Sequence, residues 1–294
     1  MAMIRNTRRH RWVALSLILP FVSIFALVFA YPIVEVIRLS FTDATLIGGG
    51  QWIGLENYRE LLDDKLFYTS LKNNGYFVLL TVIPTTVIGL CIALMVQRLT
   101  GRLQALVLAL FFLPYILPVS VVTQIWAWML DFQFGILQPV FETVVGKPVP
   151  VFKNPYWVMP SVALVTIWWT NGFNVLLLLA GLRNIPTELY EAAALDGATR
   201  RQQFTRVTWP LLWPVVALVL TLQLILQLKI FDQIYLLSEG GPFNSSSVLL
   251  LMVYREAFQQ NNGGYAAAIS LVVFVLIVAV SVLQYQILRM RGRR

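Results

Sequence analysis

The chain has one cysteine, Cys91, and one histidine, His10, in its 294 residues. A lone thiol excludes an intrachain disulfide and a thiolate-built metal centre, so no metal site is expected. The lone histidine lies in an arginine-rich run, where a solvated role is the simplest, and it leaves no base for a nucleophile elsewhere. Glycine precedes lysine only at Gly146-Lys147; Pro148 follows, and no glycine stands upstream at phosphate-loop spacing. This chain is therefore not expected to be an enzyme or to bind a nucleotide or other cofactor itself. Charge is scarce as well: 12% of residues are charged, against about 25% in an ordinary soluble domain. Apolar residues make up 58%.

The apolar residues fall in runs. Six reach the length of about 18 residues or more that a spanning helix needs: 12–36, 73–97, 104–130, 158–182, 210–237 and 265–288. Pro114 and Pro118 interrupt the third and Pro214 the fifth. Proline is tolerated in lipid where neighbours satisfy the freed carbonyls, so these read as kinked or re-entrant spans. Little is left outside them. The expectation is an all-α polytopic membrane protein with six transmembrane helices, a single domain over 1–294.

The net charge of +8 is distributed by loop. Arg5, Arg8, Arg9 and Arg11 precede the first span, and Arg98 and Arg102 separate the second from the third. Arg183, Arg200, Arg201 and Arg206 lie between the fourth and fifth, and Arg289, Arg291, Arg293 and Arg294 follow the sixth. Most acids of the short loops, Asp43, Glu56, Glu60, Asp63, Asp64, Glu142 and Glu239, fall on the other side. Such asymmetry puts both termini in the cytoplasm and calls for no nucleic-acid partner. A cleaved signal peptide competes for the N-terminus, because Ala26 to Ala30 imitates a cleavage site. The apolar run to Val34 is longer than the 7–15 residues of a signal core, which favours an uncleaved span.

Ion-coupled carriers place ionisable groups at mid-membrane depth. Here the spans hold only Glu35 and Arg38 near the outer end of the first, and Lys229 and Asp232 in the fifth. The latter two are spaced to share a helical face and neutralise each other.

The loop from Arg183 to Pro210 is the richest stretch. Pro186 and Thr187 open a helix, Thr187 as a possible cap, with Glu188 and Glu191 in its early turns, where the helix dipole favours negative charge. Ala192, Ala193 and Ala194 supply helix propensity with little bulk. Asp196-Gly197 ends that helix, and Thr199 with Gln202 forms a capping-box signature for a second one that stops at Pro210. A small acidic tip on a helix–hinge–helix suits a groove on a cytosolic partner. An interfacial loop without a partner fits the same pattern.

Span four carries Trp168, Trp169, Thr170, Asn171, Phe173 and Asn174; span five carries Gln223 and Gln227 on one face. Aromatic faces and amides suit a sugar, which offers C–H surfaces and hydroxyls. Buried amides can equally bind helices together at about 0.6–2 kcal/mol each. In span three, Ser120, Gln124 and Trp126 are weaker candidates, for which packing is the simpler role.

The run EAAALDGATRRQQFTRVTWP (191–210) resembles the EAA loop of binding-protein-dependent ABC importer permeases. Glu191, Ala192, Ala193, Gly197 and Pro210 fall on that pattern, with Val207 and Trp209 as apolar replacements. YPIVEVIRLSFTDATL (31–46), WIGLENYRELL (52–62), LPYILPVSVVTQIWAWML (113–130), SEGGPFNSSSVLLLMVYREAF (238–258) and GYAAAIS (264–270) are similar to the MalF-like carbohydrate class. The resemblance covers about 12–288 and implies the type I ABC importer permease fold in the bacterial inner membrane. It implies that Glu191, Ala192, Ala193, Asp196 and Gly197 engage an ATPase dimer, which binds ATP and magnesium. It further implies a MalG-like second permease and an extracytoplasmic solute-binding protein as partners. Substrate contacts carried over from maltose-type relatives fall on Trp169, Thr170, Phe173, Gln223, Leu226, Gln227 and Ile230, with Asn174 added from its own chemistry. Leu226 and Ile230 depart from the aromatic and amide found in that family, so maltose itself is not the expected cargo. The implied function is import of a sugar or sugar derivative. Glycerol phosphate, an amino acid or an opine is the alternative cargo, and an ion-coupled carrier the alternative class.

Overall fold

A computed structural model describes residues 16–291. The leading arginines, His10, residues 12–15 of the first expected span, and Arg293 and Arg294 lie outside the described residues. The described residues fold as two compact units, one holding 16–63 and 253–272, the other 64–252 and 273–291.

In the first unit, helix α1 (Ser16–Leu39) is one apolar span interrupted by a π-helical turn at Ala26–Ala30. None of its apolar window is buried by this chain, so its surface is left for lipid or another protein. Near its end, Arg38 donates to Glu35 at 2.5 Å, which neutralises the two charges noted in that span. A tight loop follows: Thr42 bridges to Trp52, Phe41 stacks on Trp52 at 5.2 Å, and the glycine run Gly48–Gly50 turns the chain at positive φ. Helix α2 (Glu56–Asp63) is tied to that loop through Asn57, which donates to the Ser40 and Thr42 carbonyls at 2.9 Å.

The second unit begins with α3 (Lys65–Val96), which starts eight residues before the expected span because the Asp64 carboxylate caps it by accepting from the Leu66 N–H at 2.7 Å. The third expected span is broken. Helices α4 (Gly101–Ile116) and α5 (Val119–Met129) meet at 99°. The bend sits at Leu117, which the following Pro118 forces into extended backbone at ψ 139°. After a short helix α6 (Gln138–Val145), the central span α7 (Val158–Arg183) buries 61% of its apolar window, more than any other span. Val175, Leu178, Leu179 and Leu182 of α7 pack in one core with Ala93 and Val96 of α3 and Leu212, Val216 and Val219 of the fifth span.

Helix α8 (Thr187–Leu195) and helix α9 (Arg200–Leu228) follow. Pro210 does not stop a second loop helix, as the sequence suggested; α9 runs through it into the membrane. A π-helical turn at Phe204–Thr208 widens the backbone immediately upstream, so Pro210 enters the first turn of a new α-helical stretch, where a missing N–H is tolerated. The expected fifth span is also shorter than 210–237. It ends at Leu228, Lys229 takes a non-helical ψ of 17°, and Asp232 opens α10 (Asp232–Ser238). Lys229 and Asp232 therefore share no helical face, and both side chains are exposed. Helices α11 (Leu249–Tyr254) and α12 (Gly263–Arg291) complete the chain. Five helices among the described residues are long and apolar enough to span a membrane, and six spans result if the bent α4–α5 pair counts as one.

Asn74 of α3 fixes the α9–α10 break. Its amide donates to the Leu228 carbonyl at 3.1 Å and accepts from the Leu249 N–H at 2.8 Å. Asn74→Leu leaves two buried backbone groups without a partner, at about 1–3 kcal/mol each. The expected result is a loss of about 2–6 kcal/mol in detergent unfolding experiments; an unchanged midpoint would show that the break holds without this residue.

Candidate functional site

Two constellations stand out in the second unit. The first is the corner between α8 and α9. Thr187 occupies the first helical position and Pro186 the cap, with no side-chain cap bond, so the expected Thr187 cap is not formed. The other end is closed tightly. Gly197 lies at φ +77°, its N–H donates to the Ala194 carbonyl at 3.0 Å, and the Ala198 N–H reaches back to Ala193 at 2.9 Å. This double bond pattern is a Schellman stop, which needs a residue that accepts the left-handed conformation. Two residues on, the Thr199 N–H donates to Gln202 Oε1 at 2.7 Å and the Gln202 N–H to Thr199 Oγ1 at 3.4 Å, the capping box read from the sequence. Gly197 is thus a fixed corner rather than a loose hinge.

Glu191, Ala192, Asp196 and Gly197 are exposed and Ala193 half-buried, so the small-residue face is open to another protein. Leu195 is 90% exposed at the tip. Its place was visible in EAAAL, but an apolar residue on a short helix reads as a core position unless burial is known. The Tyr190 hydroxyl pairs with Thr208 Oγ1 at 2.9 Å and ties α8 to the π turn of α9. This bond joins α8 directly to the helix that continues into the fifth apolar span.

The second constellation lies where α3, α7 and α9 meet. Gln227 donates to Gln223 at 2.9 Å, and Gln223 donates to Asn174 Oδ1 at 2.9 Å. All three are fully buried, at 1–2% exposure, so in this conformation the amides read one another and join α7 to α9. The row is incompletely satisfied: Asn174 Nδ2, Asn171 Oδ1 and Thr85 Oγ1 are buried without a partner. Unpaired polar atoms at this depth mark a seam able to re-pair.

An aromatic group sits on the neighbouring turns of α7. Phe173 stacks on Tyr115 of α4 at 5.2 Å, Trp169 lies 6.5 Å from Tyr115, and Trp169 Nε1 donates to the Leu117 carbonyl freed by the bend. Tyr115 was not among the sequence candidates, because its contacts follow from the α4–α5 bend. Thr170 is buried and its hydroxyl is used by the Thr166 carbonyl at 2.8 Å. Ile230 is buried, whereas Leu226 is 48% exposed, so the structure does not turn it to the side of Gln223 and Gln227. In α5, Trp126 packs edge-on against Trp168, while Ser120 and Gln124 are exposed. Gly172 was also missed. An added Cβ there would lie 2.1 Å from the Phe111 carbonyl oxygen, so this glycine sets the α4–α7 approach that brings Tyr115 to Phe173. Among the described residues no cluster of metal-ligating side chains is present.

Residues 85–292 match the family described as binding-protein-dependent transport system inner membrane component. The chain is 31% identical to the sulfoquinovosyl glycerol transport system permease protein SmoG of Agrobacterium fabrum, over 95% of this chain and 91% of that one. It is 30% identical to the trehalose/maltose transport system permease protein MalF of Thermococcus litoralis, over 94% and 93%. Its backbone matches a chain of a bacterial ABC transporter that imports the acidic polysaccharide alginate, with TM-score 0.86 and 23% identity over 99% of both. Both constellations lie within the matched region, and the second is the less distinctive, since amides and aromatics serve many ends. This multi-pass membrane protein is a transport subunit, not an enzyme, and it belongs to the family of binding-protein-dependent transport system inner membrane components.

Proposed function

We propose that this chain is one permease of an ATP-driven importer that carries a sugar or sugar derivative across the cytoplasmic membrane. Its partners in this reading are a second, MalG-like permease, an ATPase dimer that binds ATP and magnesium, and an extracytoplasmic solute-binding protein. The whole chain works as one permease domain. The observation that carries the reading is the locked, exposed α8 corner fastened to α9 by Tyr190 and Thr208. Glu191, Ala192, Ala193, Asp196 and Gly197 present that corner to the ATPase, and closure of the ATPase pair moves α9 and the helices packed on it. The permease pair then alternates between outward- and inward-facing states, with nucleotide biasing the balance.

The sugar assignment is supported by the relatives, whose names specify sulfoquinovosyl glycerol and trehalose or maltose. In this chain Trp169 and Phe173 offer aromatic faces, and Asn174, Gln223 and Gln227 offer amides that re-pair from one another to substrate hydroxyls. Thr170, Leu226 and Ile230 complete the proposed substrate-facing set, although Leu226 is exposed on a different side of α9 from the buried Gln223 and Gln227 and would have to turn to join them. Uptake into vesicles holding the complex and ATP, measured over a panel of sugars, glycerol phosphate, amino acids and opines, tests the cargo. A sugar is the expected substrate, and selective uptake of another class would replace that assignment. Gln223→Ala and Gln227→Ala are expected to raise the apparent KM by about tenfold, the effect of losing one good hydrogen bond to a bound hydroxyl. An unchanged substrate profile in both would reduce the amides to helix joints.

A further inference from the structure

A cavity of about 430 Å³ opens beside the α8 corner and shares Tyr190 and Thr208 with it. Its rim carries Arg98, just past the end of α3, and Arg200, the first residue of α9. Both side chains are exposed, and neither guanidinium has a hydrogen-bond or ion-pair partner among the described residues. Arg38 pairs with Glu35 and Arg183 with the Gln104 carbonyl oxygen, but Arg59, Arg102, Arg201 and Arg206 show no side-chain partner among the described residues either; what sets Arg98 and Arg200 apart is that both line one cavity. No carboxylate lines the cavity, so two like charges face one space without compensation.

The remaining lining says what would fit. Gln97 and Gln203 add amide donors beside the arginines. Leu94 and Phe204 form an apolar side continuous with the spans they belong to. The volume is several times the roughly 30 Å³ share of one water, which leaves room for an esterified anion rather than a lone ion. Paired guanidinium forks match the oxygens of a phosphate. Tyr190 and Thr208, already bonded to each other, form the wall towards α8. A ligand in this cavity would brace the corner against the end of α3.

We propose that this cavity binds a phosphate ester, held by Arg98 and Arg200, supplied either by the headgroup of an anionic phospholipid or by a soluble phosphate monoester. The assignment is independent of the cargo.

The test uses the complete transporter purified in neutral detergent. One arm adds phosphatidylglycerol or phosphatidylcholine and counts retained lipid by native mass spectrometry. The other titrates glycerol 1-phosphate by calorimetry. Retention of phosphatidylglycerol over phosphatidylcholine identifies the lipid source, and saturable binding of glycerol 1-phosphate the soluble one. The paired variant R98Q/R200Q is expected to weaken whichever probe binds by about tenfold or more, as loss of charge-assisted contacts requires. R98K/R200K keeps the charge but not the fork geometry and is expected to recover only part of the binding. Gln97→Trp, at an exposed lining position, fills the space with both arginines intact and is expected to block it, so the test survives if the glutamine pair fails to assemble. Binding of neither probe overturns the proposal, as does undiminished binding in R98Q/R200Q or in Gln97→Trp.

Discussion

Gly197→Val is expected to reduce ATP-driven uptake to below about one-tenth of the native rate while the chain still inserts in the membrane. No neighbour lies within 4 Å of an added Cβ, so the effect is torsional rather than steric. At φ +77°, a β-branched residue is strained by roughly 1–2 kcal/mol or more, and relaxing it breaks the Schellman stop that aims α8. Asparagine tolerates the left-handed region, so Gly197→Asn is expected to keep most of the activity. That contrast separates a conformational role from a need for glycine's small size. Glu191→Lys probes the same corner by charge: the side chain is exposed, so folding is spared, while uptake is expected to be abolished. Vesicle uptake for all three variants, normalised to assembled complex, is the measurement. Normal transport in Gly197→Val or Glu191→Lys would remove this corner from the coupling path.

Gly172→Val is expected to damage the fold itself. The 2.1 Å approach is to the backbone of α4, which cannot swing aside as a side chain can, so the two helices must separate. Overpacking of this kind costs about 1–3 kcal/mol where side chains can adjust, and more against backbone. The expected outcome is a fall of several degrees in the thermal unfolding midpoint in detergent. Loss of the Tyr115–Phe173 stack goes with it, readable as a change in tyrosine and tryptophan fluorescence. A native midpoint would show that α4 moves away at little cost, and that the aromatic group does not depend on this contact.

Much of this was legible in the sequence where the signal is local or periodic. The spans at 158–182 and 265–288 agree with their helices within three residues, because long charge-free apolar runs admit one reading in lipid. The Thr199–Gln202 box and the Gly197 stop were legible for a similar reason, since each depends on residues within a few positions. Where the outcome depended on a partner far along the chain, the sequence was silent. Pro210 reads as a stop until the π turn upstream of it is known. Lys229 and Asp232 share a face only if the helix continues, and Asn74, 154 positions before Leu228, secures the break that ends it. Gly172 reads as a mild propensity cost, although its role is set by Phe111, sixty-one positions away. The amides at Asn174, Gln223 and Gln227 left two roles open, and in this conformation they bond to one another.

The central claim is that movement of a separate ATPase reaches the spans of this chain through α8. The most direct measurement places the purified complex in sealed vesicles with the binding protein and labelled sugar, and varies ATP and the ion gradients independently. Uptake that requires ATP, ignores proton and sodium gradients, and disappears in Glu191→Lys is the predicted result. Gradient-driven uptake that persists without ATP and survives Glu191→Lys would contradict it and make this chain a carrier in its own right.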